Sequence, residues 1–173
     1  MPFQVSPTDG GKVLYGIGSK LQLVGGIPCS YDQGDTWTAC FVNKTNLTGI
    51  LKQLHIKNET VLIAQRLHQI PLRSIDGGET WQPMHSLVGV EDYIHQFSYS
   101  WSGKTLVMFG VGGDKTTSHT VAAIVWKSLD DGDTWTDETE NIATQGAGIT
   151  QWYEKDLYLS SAGQGIMMKR MEE

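Results

Sequence analysis

The chain has 173 residues, of which 39% are hydrophobic and 18% charged, with 20 glycines and a formal net charge of −6. That length fits a single domain, 1–173, or two very small ones, with a core that does not depend on disulfides, and the turn-rich composition leans toward all-β structure. With 13 basic against 19 acidic residues there is no basic face for nucleic acid, and no apolar run nears the ~18–20 residues of a membrane-crossing helix.

The opening "MPFQVSPTDGGK" has neither the basic start nor the apolar centre of a secretory leader, so the reading is a cytoplasmic protein at synthesis. The runs "VLYGIG" (13–18) and "LQLVGGIPC" (21–29) then predict two strands ahead of "SYDQGDTW" (30–37). "TVLIAQ" (60–65) and "QIPLR" (69–73) stand in the same way before "SIDGGETW" (74–81). "TLVMFGVGG" (105–113) and "TVAAIVWK" (120–127) stand before "SLDDGDTW" (128–135). In "ITQWYEKDLYLSSAGQGIMMKR" (149–170) the strands recur without a box. Upstream, "FQVSPTDGGK" (3–12) and "FSYSWSGK" (97–104) share a frame that reads as one further strand per unit.

The three boxes fit S-x-D-x-G-(D/E)-T-W at spacings of 44 and 54 residues. Each repeat reads as four short strands, A to D, with the box as the C–D turn; the approximate repeats are 1–42, 47–86, 91–140 and 142–173, the last without its strand D. Runs such as "VLIA" and "VAAIVW" are apolar without alternation, which means burial on both faces. Four-stranded antiparallel sheets buried on both faces and repeating every ~40–50 residues describe the blades of a small β-propeller.

Chemistry explains the letters of the box. Gly34, Gly78 and Gly132 supply positive φ. Asp32, Asp76 and Asp130 accept backbone N–H groups and close the turn from within. Thr36, Thr80 and Thr134 are expected to start strand D, and Trp37, Trp81 and Trp135 offer large apolar surfaces to the neighbouring layer. Ser30, Ser74 and Ser128 complete the box. A catalytic constellation is built once per site and a fold device once per blade, so the box is read as scaffold. Positions one before the serine and ten after it are expected to face each other: Cys29 with Cys40, Arg73 with Met84, Lys127 with Glu138. The cysteines read equally as a disulfide, if exported, or as two buried thiols.

These segments resemble the Asp-box, or bacterial neuraminidase repeat, of sialidases and other β-propellers. The resemblance covers all four units, with strong boxes in three. It implies a propeller with the boxes at the blade periphery, away from the ligand face. Sialidases hold the substrate carboxylate with three arginines, and carry a tyrosine–glutamate pair, an acid aspartate and a Phe/Tyr-Arg-Ile-Pro motif. Here no arginine precedes Ile-Pro in "QIPLR" or "GGIPC", and the only arginines are Arg66, Arg73 and Arg170. No catalytic set, metal site or cofactor is expected.

Other motifs yield no chemistry. The acidic run 128–140 lacks the ligand order of a calcium loop, and the five histidines show no metal spacing. "GVGGDKT" (110–116) lacks a phosphate-loop spacing and reads as a B–C loop. Without a leader, the sequons at Asn43, Asn46 and Asn58 read as chance. In propeller topology the D–A and B–C loops share the ligand face. The candidate residues there are Asn43, Lys44, Asp92, Lys115 and His119.

The leading functional reading is a non-enzymatic structural or interaction propeller that mediates protein–protein assembly, self-association included, with a virus or phage virion as one setting. The alternative is a carbohydrate-binding, sialidase-like propeller without catalytic residues, and the third reading is a glycoside hydrolase. Neither nucleic acid nor membrane is expected as a partner.

Overall fold

Short apolar runs separated by glycine-rich turns close hairpins rather than helices, and every regular element among the described residues is a strand. A computed structural model describes residues 3–5, 10–17, 26–41, 47–66, 69–84, 94–102, 105–113, 120–139, 150–153, 155–161 and 165–171. The strands form four antiparallel sheets in which sequence neighbours are spatial neighbours. The first holds β1 (Phe3–Val5), β2 (Leu14–Gly16), β3 (Ile27–Ser30) and β4 (Thr38–Cys40). The second holds β5 (Leu51–Ile56), β6 (Leu62–Arg66), β7 (Leu72–Ser74) and β8 (Gln82–Pro83). The third holds β9 (Ile94–Ser102), β10 (Thr105–Gly113), β11 (Thr120–Ser128) and β12 (Thr136–Asp137). The fourth has three strands: β13 (Thr150–Tyr153), β14 (Asp156–Ser161) and β15 (Gly165–Arg170).

The chain forms two compact units, Met1–His85 and Ser86–Glu173. In the first, Ile27, Leu51, Leu54, Leu72 and Trp81 make the core, with Tyr15 and Phe41 packed on it. Strands β3 and β6 are buried on both faces apart from the last residue of β6, as the run "VLIA" leads one to expect for β6. The β5–β6 hairpin closes on Asn58, whose Oδ1 accepts the N–H of Thr60 (3.0 Å) and of Val61 (2.7 Å). That sequon is thus a turn device of the Asx type. In the second unit Val107, Val125, Leu157 and Leu159 form the core, with Trp152 and Met167 partly buried against it.

Three sequence expectations are corrected in detail. Strand D begins one residue after the tryptophan in each of the first three sheets, so the box threonines belong to the turn. The paired positions meet on the diagonal rather than directly opposite: Cys29 faces Thr38 while Cys40 faces Ile27, and Lys127 faces Thr136. Diagonal neighbours on one face remain within reach of each other. Cys29 and Cys40 are accordingly joined in a disulfide, Cα to Cα 5.9 Å, and Lys127 Nζ reaches Glu138 at 3.7 Å. Finally, Gly110 to Gly113 belong to β10 rather than to a loop.

Candidate functional site

The three boxes fold into one repeated geometry. The serine hydroxyl donates to the aspartate Oδ1 (2.7, 2.8 and 2.7 Å) and accepts the glycine N–H (2.8, 2.8 and 2.7 Å). The threonine N–H donates to the same carboxylate at 2.9, 2.9 and 2.8 Å. The indole N–H closes the ring on the glycine carbonyl at 3.0, 3.0 and 3.2 Å. Two consecutive residues take positive φ: Gln33 and Gly34, Gly77 and Gly78, Asp131 and Gly132. Short polar or glycine residues tolerate that conformation, so Asp131 is placed by the turn. The serine hydroxyl, the aspartate carboxylate and the indole N–H of each box are engaged within the box itself.

The carboxylates titrate accordingly. Hydrogen bonds from the Thr36 hydroxyl, the Thr36 N–H and the Ser30 hydroxyl hold Asp32 at about 2, and the equivalent bonds hold Asp76 there. For Asp130 burial pushes upward as the largest single effect, but the bonds from Thr134 and Ser128 together prevail and it too lies at about 2. His55 on β5 is pulled down to about 4 by burial, against a hydrogen bond with Gln65. All four groups have folded pKa values below their ordinary ones. Their contribution is therefore complete at high pH and lost on acidification, for His55 between 6.5 and 4 and for the aspartates between 3.8 and 2. We expect acid unfolding in two stages, with His55→Gln flattening the upper one. Denaturant midpoints measured from pH 7 to about pH 2 check this, and a variant profile superimposable on wild type refutes it.

The expected ligand-face residues Asn43, Lys44, Asp92, Lys115 and His119 lie outside the described residues. Two of the arginines are engaged structurally. Arg66 donates to the carbonyls of Ile70 (2.6 Å) and Thr48 (3.3 Å), and Arg170 forms a two-pronged pair with Asp156 (2.7 and 2.9 Å). Among the described residues no group of three His, Cys, Asp or Glu is placed to hold a metal.

Two surfaces that the sequence reading missed carry more interest. The first is the outward face of the fourth sheet. Its register sets Gln151 against Tyr158, Tyr153 against Asp156, Tyr158 against Met168 and Ser160 against Ile166. One face of the sheet, with Leu157 and Leu159, packs into the core. The other shows Tyr153 (66% exposed), Ile166 (74%), Met168 (57%) and Tyr158 (36%) to solvent. An antiparallel sheet with one wet face normally alternates apolar inward with polar outward, and here these four large side chains share the outward face with Gln151, Asp156, Ser160 and Arg170. The only signal in the sequence is the unbroken "GIMM", which reads equally well as core.

The second is a cleft of about 410 Å³ in the first unit, beside β4. Tyr15, Tyr31 and Phe41 line it together with Thr38, Asn58 and Glu59. Phe41 links the aromatic walls to the core, stacked on Tyr15 (6.2 Å) and edge-on to Trp81 (5.8 Å). Tyr31 is held at the rim by donating its hydroxyl to Cys40 Sγ at 3.2 Å.

No family model matches the chain, and no curated protein matches it. Solved structures do, at low identity. YCF48 from Cyanidioschyzon merolae is 11% identical with a TM-score of 0.54, over 94% of this chain and 52% of that one. YCF48 bound to D1 peptide is 12% identical with a TM-score of 0.53, over 91% and 47%. The computationally designed Ika4 protein is 10% identical with a TM-score of 0.57, over 99% and 100%. The chain spans about half the length of the YCF48 structures it matches. At these identities the likeness is one of fold: an all-β chain of antiparallel sheets, similar to β-propeller proteins.

Proposed function

We propose that the chain is a non-enzymatic interaction module, a β-propeller of Asp-box blades that joins protein surfaces, first among them a second copy of itself. The observation that carries this reading is the bare outward face of the fourth sheet. Tyr153, Tyr158, Ile166 and Met168 form one apolar surface, and solvent-facing apolar patches of this kind mark interaction sites. Charge permits the self-contact. Copies carrying −6 each repel in general, but the acid and base on this face, Asp156 and Arg170, neutralise each other. Engagement of Arg66 and Arg170 within the fold supports the absence of sialidase chemistry. The YCF48 structure with a bound peptide supports a protein partner for a chain of similar fold. The virion setting has no such support and is not part of the proposal.

Light scattering on the eluting protein tests the reading. We expect twice the chain mass of 19.1 kDa, and a monomer with unchanged circular dichroism for the double variant Ile166→Lys, Met168→Lys. A wild-type monomer throughout the micromolar range would exclude the self-association.

A further inference from the structure

Strand order places β4 and β8 at the outer edges of their sheets, and β12 at an edge of the third. Which of their backbone groups point outward follows from the ladder. Met84 N–H donates to the Pro71 carbonyl (3.0 Å), and Glu138 N–H to the Val125 carbonyl (2.8 Å). Counted from the box serine, these pairs are equivalent to Cys40 with Ile27, which face each other in the first sheet. Hydrogen-bonded and non-hydrogen-bonded pairs alternate along an antiparallel ladder. Pro28 with Ala39 is therefore a non-hydrogen-bonded pair, consistent with the missing N–H of Pro28. It follows that the N–H and C=O of Ala39 project away from β3, past the edge of the sheet.

The same outward position is occupied by Pro83 in the second sheet and by Asp137 in the third. Proline and charge are the ordinary means by which proteins blunt an edge strand, and Asp137 further turns its carboxylate to the N–H of Thr139 at 2.8 Å. Ala39 alone of the three has a donor, an acceptor and a small uncharged side chain. It is exposed, and the aromatic cleft runs alongside it. Glu59 is the one ionisable acid or base among the cleft's described lining residues apart from the tyrosines.

We propose that β4 is a docking edge for an extended peptide segment, which pairs with Ala39 as an added strand and sets a basic side chain between the aromatic walls and Glu59. Main-chain bonds supply the pairing and the cleft supplies the choice of side chain, as in β-strand addition generally. An arginine or lysine fits on two counts. Its stem and cation lie well over tyrosine and phenylalanine faces, and its charge meets Glu59. The inference is independent of the proposed self-association, which uses the other compact unit.

The test uses the full chain and two labelled probes, acetyl-Thr-Val-Arg-Val-Thr-amide and the same peptide with glutamate in place of arginine, followed by fluorescence anisotropy. The arginine peptide is expected to bind saturably and about tenfold more tightly than the glutamate peptide. Ala39→Pro should abolish binding while the fold persists, because Pro83 occupies the equivalent position in the second sheet. Glu59→Gln should retain pairing but lose the preference for arginine. Equal binding of both peptides, undiminished binding by Ala39→Pro, or selective retention of an oligosaccharide panel with silence toward both peptides each overturns the proposal.

Discussion

Trp81→Ala is expected to remove about 3–5 kcal/mol of stability, a large part of the ~5–15 kcal/mol that a domain has in total. Trp81 is 1% exposed, sits in the core of the first unit with Leu51, Leu54 and Leu72, and meets the edge of Phe41. Phe41 in turn lies over Gly78, where any Cβ would collide with its ring. Truncating the indole thus empties the centre of a packed layer and leaves the Gly78 carbonyl without its donor. Trp37 and Trp135 occupy the same letter of the same motif and make the same bond to a glycine carbonyl, yet both are only partly buried. Their alanine variants should each cost about 1–2 kcal/mol, in proportion to the smaller apolar area lost. Urea melts of the three variants decide the matter. If the motif itself set stability, the three losses would be equal; a Trp81 loss no larger than the others refutes the argument from burial.

That contrast marks where the sequence was legible and where it was not. The box could be read because it is local: Ser74, Asp76, Gly78 and Thr80 bond among themselves within seven residues. The unalternating run "VLIA" of β6 could be read because burial on both faces removes polar letters. Register is another matter. Whether Cys29 faces Cys40 or Thr38 depends on where strand D starts, and the motif does not reveal that the box threonine stays in the turn. Exposure was also hidden. Ile166 and Met168 have the letters of a core strand, and only pairing with Tyr158 and Ser160 reveals that they share the wet face. The difference between Ala39 and Pro83 was visible in the letters all along, but it acquires meaning only once β4 and β8 are known to be edges. The five expected ligand-face residues, Asn43, Lys44, Asp92, Lys115 and His119, lie outside the described residues, and the surfaces with most to offer are those of the sheets.

Opening the Cys29–Cys40 bond is the other change expected to have a large effect. The bridge spans 11 positions and encloses the first box turn. Chain-entropy arguments give about 3 kcal/mol for a loop of this size. The same diagonal position in the third sheet is held by the partly buried Lys127–Glu138 pair at 3.7 Å, and such pairs contribute about 1 kcal/mol or less. The three outer strands are thus fastened very unequally. The fastening is strongest at β4, whose open edge has most need of a fixed backbone if a second strand is to pair with it. Cys29→Ala with Cys40→Ala, or treatment with dithiothreitol, should lower the denaturation midpoint by the same amount. Either change should also speed amide exchange in β3 and β4 before it affects the second unit, since the constraint is local to one hairpin. Intact mass after alkylation under denaturing conditions should show no added groups until reductant is supplied. Both thiols labelled without reductant, or a midpoint indifferent to it, would show that β4 is held by packing alone. The fate of the bond also bears on the setting, because a structural bridge survives where the surroundings are oxidising and opens where glutathione keeps thiols reduced.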